Sequence, residues 1–388
     1  MKGNLIAEKH FVNSEVHEKS LENRIKKDNN IEKDLQITEI FGKAVAMGAS
    51  DVHITVGAPI TSRVNGHLIR ITKQLLTPDD TYRLCKVVLN KKQWDQLNEE
   101  GEVDFSFSLS RIARFRVNAF KQRGSFGLAF RVVVDRIPTL RELGAPDILN
   151  NLSEKKRGLI LVTGPTGSGK STTLASMIDI INSRDKNHII TIEDPIEYLH
   201  THKQALVNQR EIGCDSRSFA NALRASLRQD PDVILVGEMR DLETVATALT
   251  AAETGHLVLS TLHTVGAAST IDRIVDVFPP HHQQQIKVQL ASVLQGIISQ
   301  QLLPAKGGNG RVLAYEVLIA TDAARNLVRE GKTHQIQTII QTGKSDGMIT
   351  MDAHLISLYR MGKLDRSTVL KHCVDHKYVK KQLEYLSY

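Results

Sequence analysis

The segment Gly164-Pro165-Thr166-Gly167-Ser168-Gly169-Lys170-Ser171 fits the pattern G-x-x-x-x-G-K-[ST] at every fixed position. It constrains the fold because such a loop works only between a buried strand and the start of a helix. Both flanks are there. Leu159-Ile160-Leu161-Val162 reads as an apolar strand, and Leu174, Met177, Ile178 and Ile181 recur at i, i+3, i+4 and i+7, one face of a helix. Glycines let the backbone curl so that its N–H groups converge on phosphate oxygens, and the helix N-terminus adds positive dipole. In that arrangement Lys170 bridges the phosphates, Ser171 ligates Mg²⁺ and Thr172 belongs to the same binding turn. The loop implies a bound nucleoside triphosphate with Mg²⁺.

The rest of the composition removes several classes. The 388 residues leave room for about two to three domains. No apolar run approaches the ~18 residues that span a bilayer. Residues 1–36 mix Lys, Glu and Asn with few apolar side chains, so they are expected to be a polar, mobile tail and not a secretory signal. Cys85, Cys214 and Cys373 lie far apart and form no C-x-x-C pair, which disfavours a disulfide framework or a zinc site. The net charge of +7 comes from basic residues scattered among acidic ones. That reads as a solvated surface and not as a nucleic-acid footprint. No internal repeat is present.

Residues 37–145 are expected to form a small α+β domain. Ile37 to Met47 has helical periodicity, Asp51 to Val56 alternates as a strand does, and Asn65-Gly66 offers a hairpin turn. Thr77-Pro78-Asp79-Asp80 opens a helix expected to run to about Asn98. Val103–Phe107, Phe115–Phe120 and Gly127–Val133 are further strands, and Leu140 to Asn151 is expected to link to the next domain. From residue 146 onward, strands at Leu159–Val162, His188–Ile192, Val233–Val236 and Leu257–Ser260 alternate with helical stretches. This predicts a mostly parallel sheet with helices on both faces and a ligand at the carboxyl ends of the strands. After Pro279-Pro280 the pattern turns helical, with Ile286, Leu290, Val293, Leu294 and Ile297 on one face, so C-terminal helices are expected from about 281.

Hydrolysis of a triphosphate needs an acidic residue for the metal and a carboxylate that orients water. The strand Val233–Val236 ends in Gly237-Glu238, with Gly where an Asp is usual, which leaves Glu238 to serve the metal or its water shell alone. Glu193, Asp194 and Glu197 follow another strand. Glu197 is the candidate for polarising the attacking water, with helix capping or surface pairing as the alternative role for all three. His263 falls at the carboxyl end of Leu257–Ser260, where it could sense the γ-phosphate. His256 sits at the opposite end of that strand. Arg114, Arg116, Arg131, Arg224, Arg228, Arg240 and Arg273 are candidates for neutralising charge in trans.

With these residues in place the chain resembles the type IV pilus retraction ATPases of the secretion-ATPase superfamily. The resemblance runs from about Ile37 to the C-terminus. It includes Gly48–His53, Ala113–Phe120, the phosphate loop, and Thr191–Tyr198, which looks like the family's aspartate box. It continues through Leu235–Asp241, its atypical second Walker motif, and through Ala252–His256 and Thr261–Thr264, its histidine box. The resemblance implies an α/β fold: a PAS-like α+β N-terminal domain, then a RecA-like P-loop ATPase domain with a helical C-terminal region. It implies a cytoplasmic homo-hexamer with ATP between N-terminal and ATPase domains, and Glu197 and Glu238 as catalytic carboxylates. His256 and His263 would be state-sensing, and Arg114, Arg116 and Arg131 would contact phosphate. The implied partner is an inner-membrane pilus platform protein, with no nucleic acid and membrane association only through the pilus machine. Ala323–Glu330 resembles a helix of the retraction enzymes, with Leu327 and Val328 for packing and Arg325, Arg329 and Glu330 exposed. The alternative is a pilus extension or type II secretion assembly ATPase; extension enzymes share most motifs but typically carry a tetracysteine zinc site and a further N-terminal domain. A RecA-like nucleic-acid motor would need stacking aromatics that do not accompany the basic residues.

Overall fold

The structure, a computed structural model, describes residues 37–64, 66–109, 112–133, 136–308 and 310–386. The tail expected over residues 1–36, and Asn65 of the expected hairpin turn, lie outside the described residues. The chain divides into two compact units, Met1–Asp135 and Arg136–Tyr388.

In the first unit, helix Ile37–Ala46 precedes strands β1 (Ala49–Ile54), β2 (Thr61–Val64) and β3 (His67–Arg70). Helices Pro78–Val88 and Lys91–Glu100 follow, then β4 (Glu102–Leu109), β5 (Ala113–Gln122) and β6 (Ser125–Val133). The strands form one antiparallel sheet in the order β3-β2-β1-β6-β5-β4. Alternation decides its faces. Phe115, Val117 and Ala119 of β5 are buried while Arg114, Arg116 and Asn118 lie on the other side. Phe41 of the first helix packs edge-on against Phe115 and Phe130, with ring centroids 5.0 and 4.6 Å apart. The single helix expected from Thr77 to about Asn98 is instead two. Asn90 accepts from Gln93 N and Gln93 caps it back, a reciprocal box that starts a new helix.

The second unit starts earlier than residue 146. Leu140 is only 4% exposed and packs with Leu149, Ile160 and Met177, and Pro138 O accepts from Ser176 Oγ at 2.6 Å. The expected linker is therefore part of this unit's core. Beyond helix Ile148–Ser153 come β7 (Gly158–Thr163), helix Lys170–Arg184, β8 (His188–Glu193), β9 (Leu206–Glu211) and helix Phe219–Ser226. Next are β10 (Val233–Val236), helix Leu242–Glu253, β11 (Leu257–Leu262), and helices Ala267–Asp276 and Pro280–Val293. β12 (Leu294–Pro304) and β13 (Arg311–Ile319) complete a sheet ordered β13-β12-β7-β11-β10-β8-β9. Every neighbouring pair is parallel except β12 with β13. Apolar helix faces cover both sides, one against Leu161, Ile192 and Ile234, the other against Ile160, Val162 and Leu259. This is the expected α/β order, with Leu159–Val162, His188–Ile192, Val233–Val236 and Leu257–Ser260 as its strands.

The C-terminal region differs from a run of helices beginning near 281. Leu294 is already extended (φ −60°, ψ 129°), so Leu294 and Ile297 belong to β12 and not to the helix face. β12 is buried on both sides, which erases the period-two signal of a strand. Helices Asp322–Glu330, Ile336–Thr342, Met351–Arg360, Arg366–His372 and His376–Tyr385 follow. Val328 packs inward as expected, but Arg325 is not a solvated charge. Its guanidinium donates to Ala320 O (3.0 Å), Ala291 O (2.7 Å) and Ser292 O (2.9 Å), closing the carboxyl end of helix Pro280–Val293. Among the described residues no helix is long and apolar enough to cross a membrane.

Two histidines tie this unit's stability to pH. His354 accepts from Tyr315 N (3.0 Å) and lies against the Tyr315 ring, and burial pushes its pKa down to about 4. Burial likewise pushes His200 down to about 4. In the unfolded chain both titrate near 6.5, so between these values the unfolded state binds more protons. Their stabilisation is complete above about pH 6.5 and is lost as pH falls toward 4, on the order of 3 kcal/mol for each. Melting curves from pH 7.5 to 4.5 should show that decline, and a flat melting temperature would contradict it.

Candidate functional site

The loop Gly164–Ser171 leaves β7 and turns directly into helix Lys170–Arg184. Gly164 has φ +139°, and a Cβ there would lie 2.2 Å from Gln300 O on β12, so only glycine lets the loop close on its neighbour strand. Gln300 is tied in turn to the helix, its Nε2 donating to Thr173 Oγ1 at 2.9 Å. Lys170 is 8% exposed, and its ammonium donates to the loop carbonyls of Gly164 (2.9 Å) and Pro165 (3.1 Å). Ser168 Oγ is buried and has no hydrogen-bond partner. Pro165, Thr166 and Gly167 are exposed at the loop's crest. The loop thus curls around its own cation and presents polar atoms lacking permanent partners.

Burial lowers the Lys170 pKa, and Glu197 and Glu238 work against that fall. The second carboxylate arrives from β10. Gly237 N donates to Ile192 O (2.8 Å), and a Cβ on Gly237 would meet that same oxygen at 3.2 Å. Close packing against β8 explains glycine where an Asp is usual, and it leaves Glu238 as the first side chain beyond the strand. Glu238 Oε2 lies 2.7 Å from Arg240 Nη2 and 3.5 Å from His263 Nε2. His263 Nδ1 is 3.5 Å from Thr166 Oγ1, so the imidazole stands between the phosphate loop and Glu238. These groups, with Thr261 and Arg273, line a cleft of about 500 Å³.

Glu197 is held by its neighbours. Ile196 N donates to the buried Glu211 (3.1 Å), and Gln209 Nε2 donates to Tyr198 O (2.8 Å). The Tyr198 hydroxyl meets Thr172 Oγ1 at 3.0 Å, pinning this segment to the loop's own helix. Glu193 has another role: burial raises its pKa, while Thr191 Oγ1 and Gln209 Nε2 donate to it at 2.6 and 3.2 Å. It braces the segment that carries the exposed Glu197.

The structure therefore brings together Lys170, Glu197, Glu238, His263 and Thr166, with Ser171 and Thr172 in the first turn of the helix. It does not bring His256 to them. That ring lies at the opposite end of β11, and its Nδ1 donates to Ala251 O at 2.9 Å, a local structural bond. Arg240 and Arg273 lie around the cleft of their own chain, and Arg224 pairs with Glu243. In the first unit, Arg116 and Arg131 stand directly opposite each other in the β5–β6 register, with Arg114 two residues along. Asp51 binds Arg131 at 3.0 Å. Like charges so placed repel, and the Asp51 carboxylate offsets the Arg131 charge. The sequence reading missed the Arg240 contact, Tyr198 and Gln300. Only the first left a signal, an arginine two positions past Glu238.

The sequence profile described as type II/IV secretion system protein matches residues 24–360. The chain is 50% identical over 332 residues to the "Type IV pilus retractation ATPase PilT" of Pseudomonas aeruginosa, covering 86% of this chain and 96% of that one. It is 52% identical over 300 residues to the "Twitching motility protein" of Neisseria gonorrhoeae, covering 77% and 80%. The solved structure of the pilus retraction motor PilT with bound ADP superposes with a TM-score of 0.84 at 51% identity, over 90% of this chain and 100% of that one.

Proposed function

The chain belongs to the type II/IV secretion system protein family, and from that premise we propose that it is the hexameric, ATP-hydrolysing motor of type IV pilus retraction. One observation carries the chemistry: the phosphate loop folds around the Lys170 ammonium, and the Glu197 and Glu238 carboxylates act on it to favour its charged form. The match to a retraction ATPase along nearly its whole length carries the assignment to retraction.

The loop N–H groups and Lys170 take the β- and γ-phosphates, and the unpartnered Ser168 Oγ gains an acceptor there. Mg²⁺ suits the donors present. Ser171 and Glu238 offer two hard oxygens. That fits an ion that draws most of its shell from water and phosphate. When bound it would neutralise phosphate charge. Glu197 orients the attacking water, and His263 reads the γ-phosphate through Thr166 and Glu238. The arginines of the first unit, Arg114, Arg116 and Arg131, offer positive charge to a phosphate. The motor would work at the cytoplasmic face of the membrane, against a platform protein of the pilus machine.

Deleting the gene tests this reading. Cells should keep their pili yet lose retraction and twitching motility, and the purified chain should size as a hexamer by light scattering with ATP present. Cells without pili would make it an extension motor, and a fully active monomer would exclude the ring.

A further inference from the structure

Glu316 is a charged side chain in the middle of β13 that is only 3% exposed. The β7, β12 and β13 registers set Thr163, Ser299 and Glu316 side by side across three strands, at the end of β7 where the phosphate loop begins. Burial raises the Glu316 pKa, and three donors work against that rise: Ala267 N, Met351 N and the Gln337 side chain. Ala267 N donates to Glu316 Oε1 at 2.9 Å. Beside it Gly266 N donates to Ser299 Oγ at 2.8 Å.

Both N–H groups lie at the start of helix Ala267–Asp276, at the cap residue Gly266 and the first helical residue Ala267, which no earlier carbonyl of the helix can satisfy. Glu316 of β13 and Ser299 of β12 hold them from outside the helix. Thr270 Oγ1 donates to Gly266 O (2.8 Å) and meets Thr264 Oγ1 (2.7 Å), which closes the turn on itself. The only residues between His263 and this anchored turn are Thr264 and Val265. The imidazole in front of Glu238 is therefore positioned by a bond made behind it.

We propose that Glu316, with Ser299, is a positioning residue for hydrolysis: by holding the Gly266 and Ala267 N–H groups it sets where His263 stands against Glu238 and Thr166. The same carboxylate receives Met351 N at the start of helix Met351–Arg360, so a shift of the histidine loop is passed to the C-terminal helices through one side chain. This inference rests on the reading of His263 and Glu238 given above.

The test uses the full chain with Glu316→Gln, the milder Ser299→Ala, and Asp352→Asn as a comparison. Asp352 is also buried, but it accepts from Val374 N (2.7 Å) and Asp375 N (2.8 Å) and not from the histidine loop. In Glu316→Gln and Ser299→Ala, kcat should fall at least about ten-fold, a loss in line with other misplaced catalytic groups. Affinity for a fluorescent ADP analogue should stay within about three-fold. Hydrogen exchange in the peptide over residues 263–270 should quicken in both but not in Asp352→Asn, which should keep its kcat. A folded Ser299→Ala or Glu316→Gln protein with wild-type kcat overturns the proposal. So does a parallel loss of affinity and turnover in all three variants, which would mark a purely structural role. A wild-type chain with no turnover would instead refute the reading of the site, while the exchange data would still decide whether Glu316 holds the loop.

Discussion

Lys170→Ala is expected to abolish ATP hydrolysis, lowering kcat by roughly a thousand-fold or more, the scale seen when a cation on a transferring phosphoryl group is lost. The physical case lies in what surrounds the ammonium. Lys170 is 8% exposed and faces two carboxylates, Glu197 and Glu238, as well as two loop carbonyls. Without it those carboxylates repel the triphosphate with nothing between. Arg240 cannot step in, because its guanidinium is already held by Glu238 at 2.7 Å. The fold should tolerate the change, since the carbonyls of Gly164 and Pro165 lie next to exposed loop residues and can turn to water. Phosphate release and circular dichroism on the same preparation decide it. A folded Lys170→Ala protein with a tenth of normal turnover would remove Lys170 from its role.

Glu197→Gln should separate binding from chemistry. The segment around it is fixed by Ile196 N on Glu211, Tyr198 O on Gln209 and Tyr198 OH on Thr172, none of which involves the Glu197 carboxylate. The glutamine therefore enters an unchanged backbone with nearly the same shape. What it loses is a base, and a positioned base contributes on the order of 10²–10⁴ in rate. Removing the negative charge also relieves repulsion of the triphosphate, so nucleotide affinity should hold or rise slightly. Turnover near wild type would show that Glu197 is only a surface carboxylate. An equal fall in affinity would show that it acts in binding.

The sequence made the phosphate loop legible because its rule is local: a fixed glycine spacing between a strand and a helix. The four central strands were legible for a related reason, since short apolar runs bounded by polar residues have few other uses. β12 was not, because Leu290, Val293, Leu294 and Ile297 carry helical spacing straight across the point where the chain becomes extended. Only pairing with β7 and β13 decides between the two. The break at Asn90 could have been read from the Asn-x-x-Gln spacing that forms the box there. Arg325 and Glu316 mark a different limit. Most of their partners are backbone groups far along the chain, and backbone groups have no letter in a sequence.

β7 does not lie at an edge of its sheet. It is hydrogen-bonded along its length to β11 on one side and β12 on the other, both running parallel to it. For an enzyme whose loop sits in a machine under tension, that arrangement decides how load is borne. An edge strand peels away one bond at a time, each rupture making the next easier. A strand gripped on both sides must shear against two neighbours at once, so tension along it spreads over both ladders together. Force arriving at the nucleotide would then pass into the sheet as a whole, and the compliance of the motor would reside in its loops and helix ends instead of at the phosphate cradle.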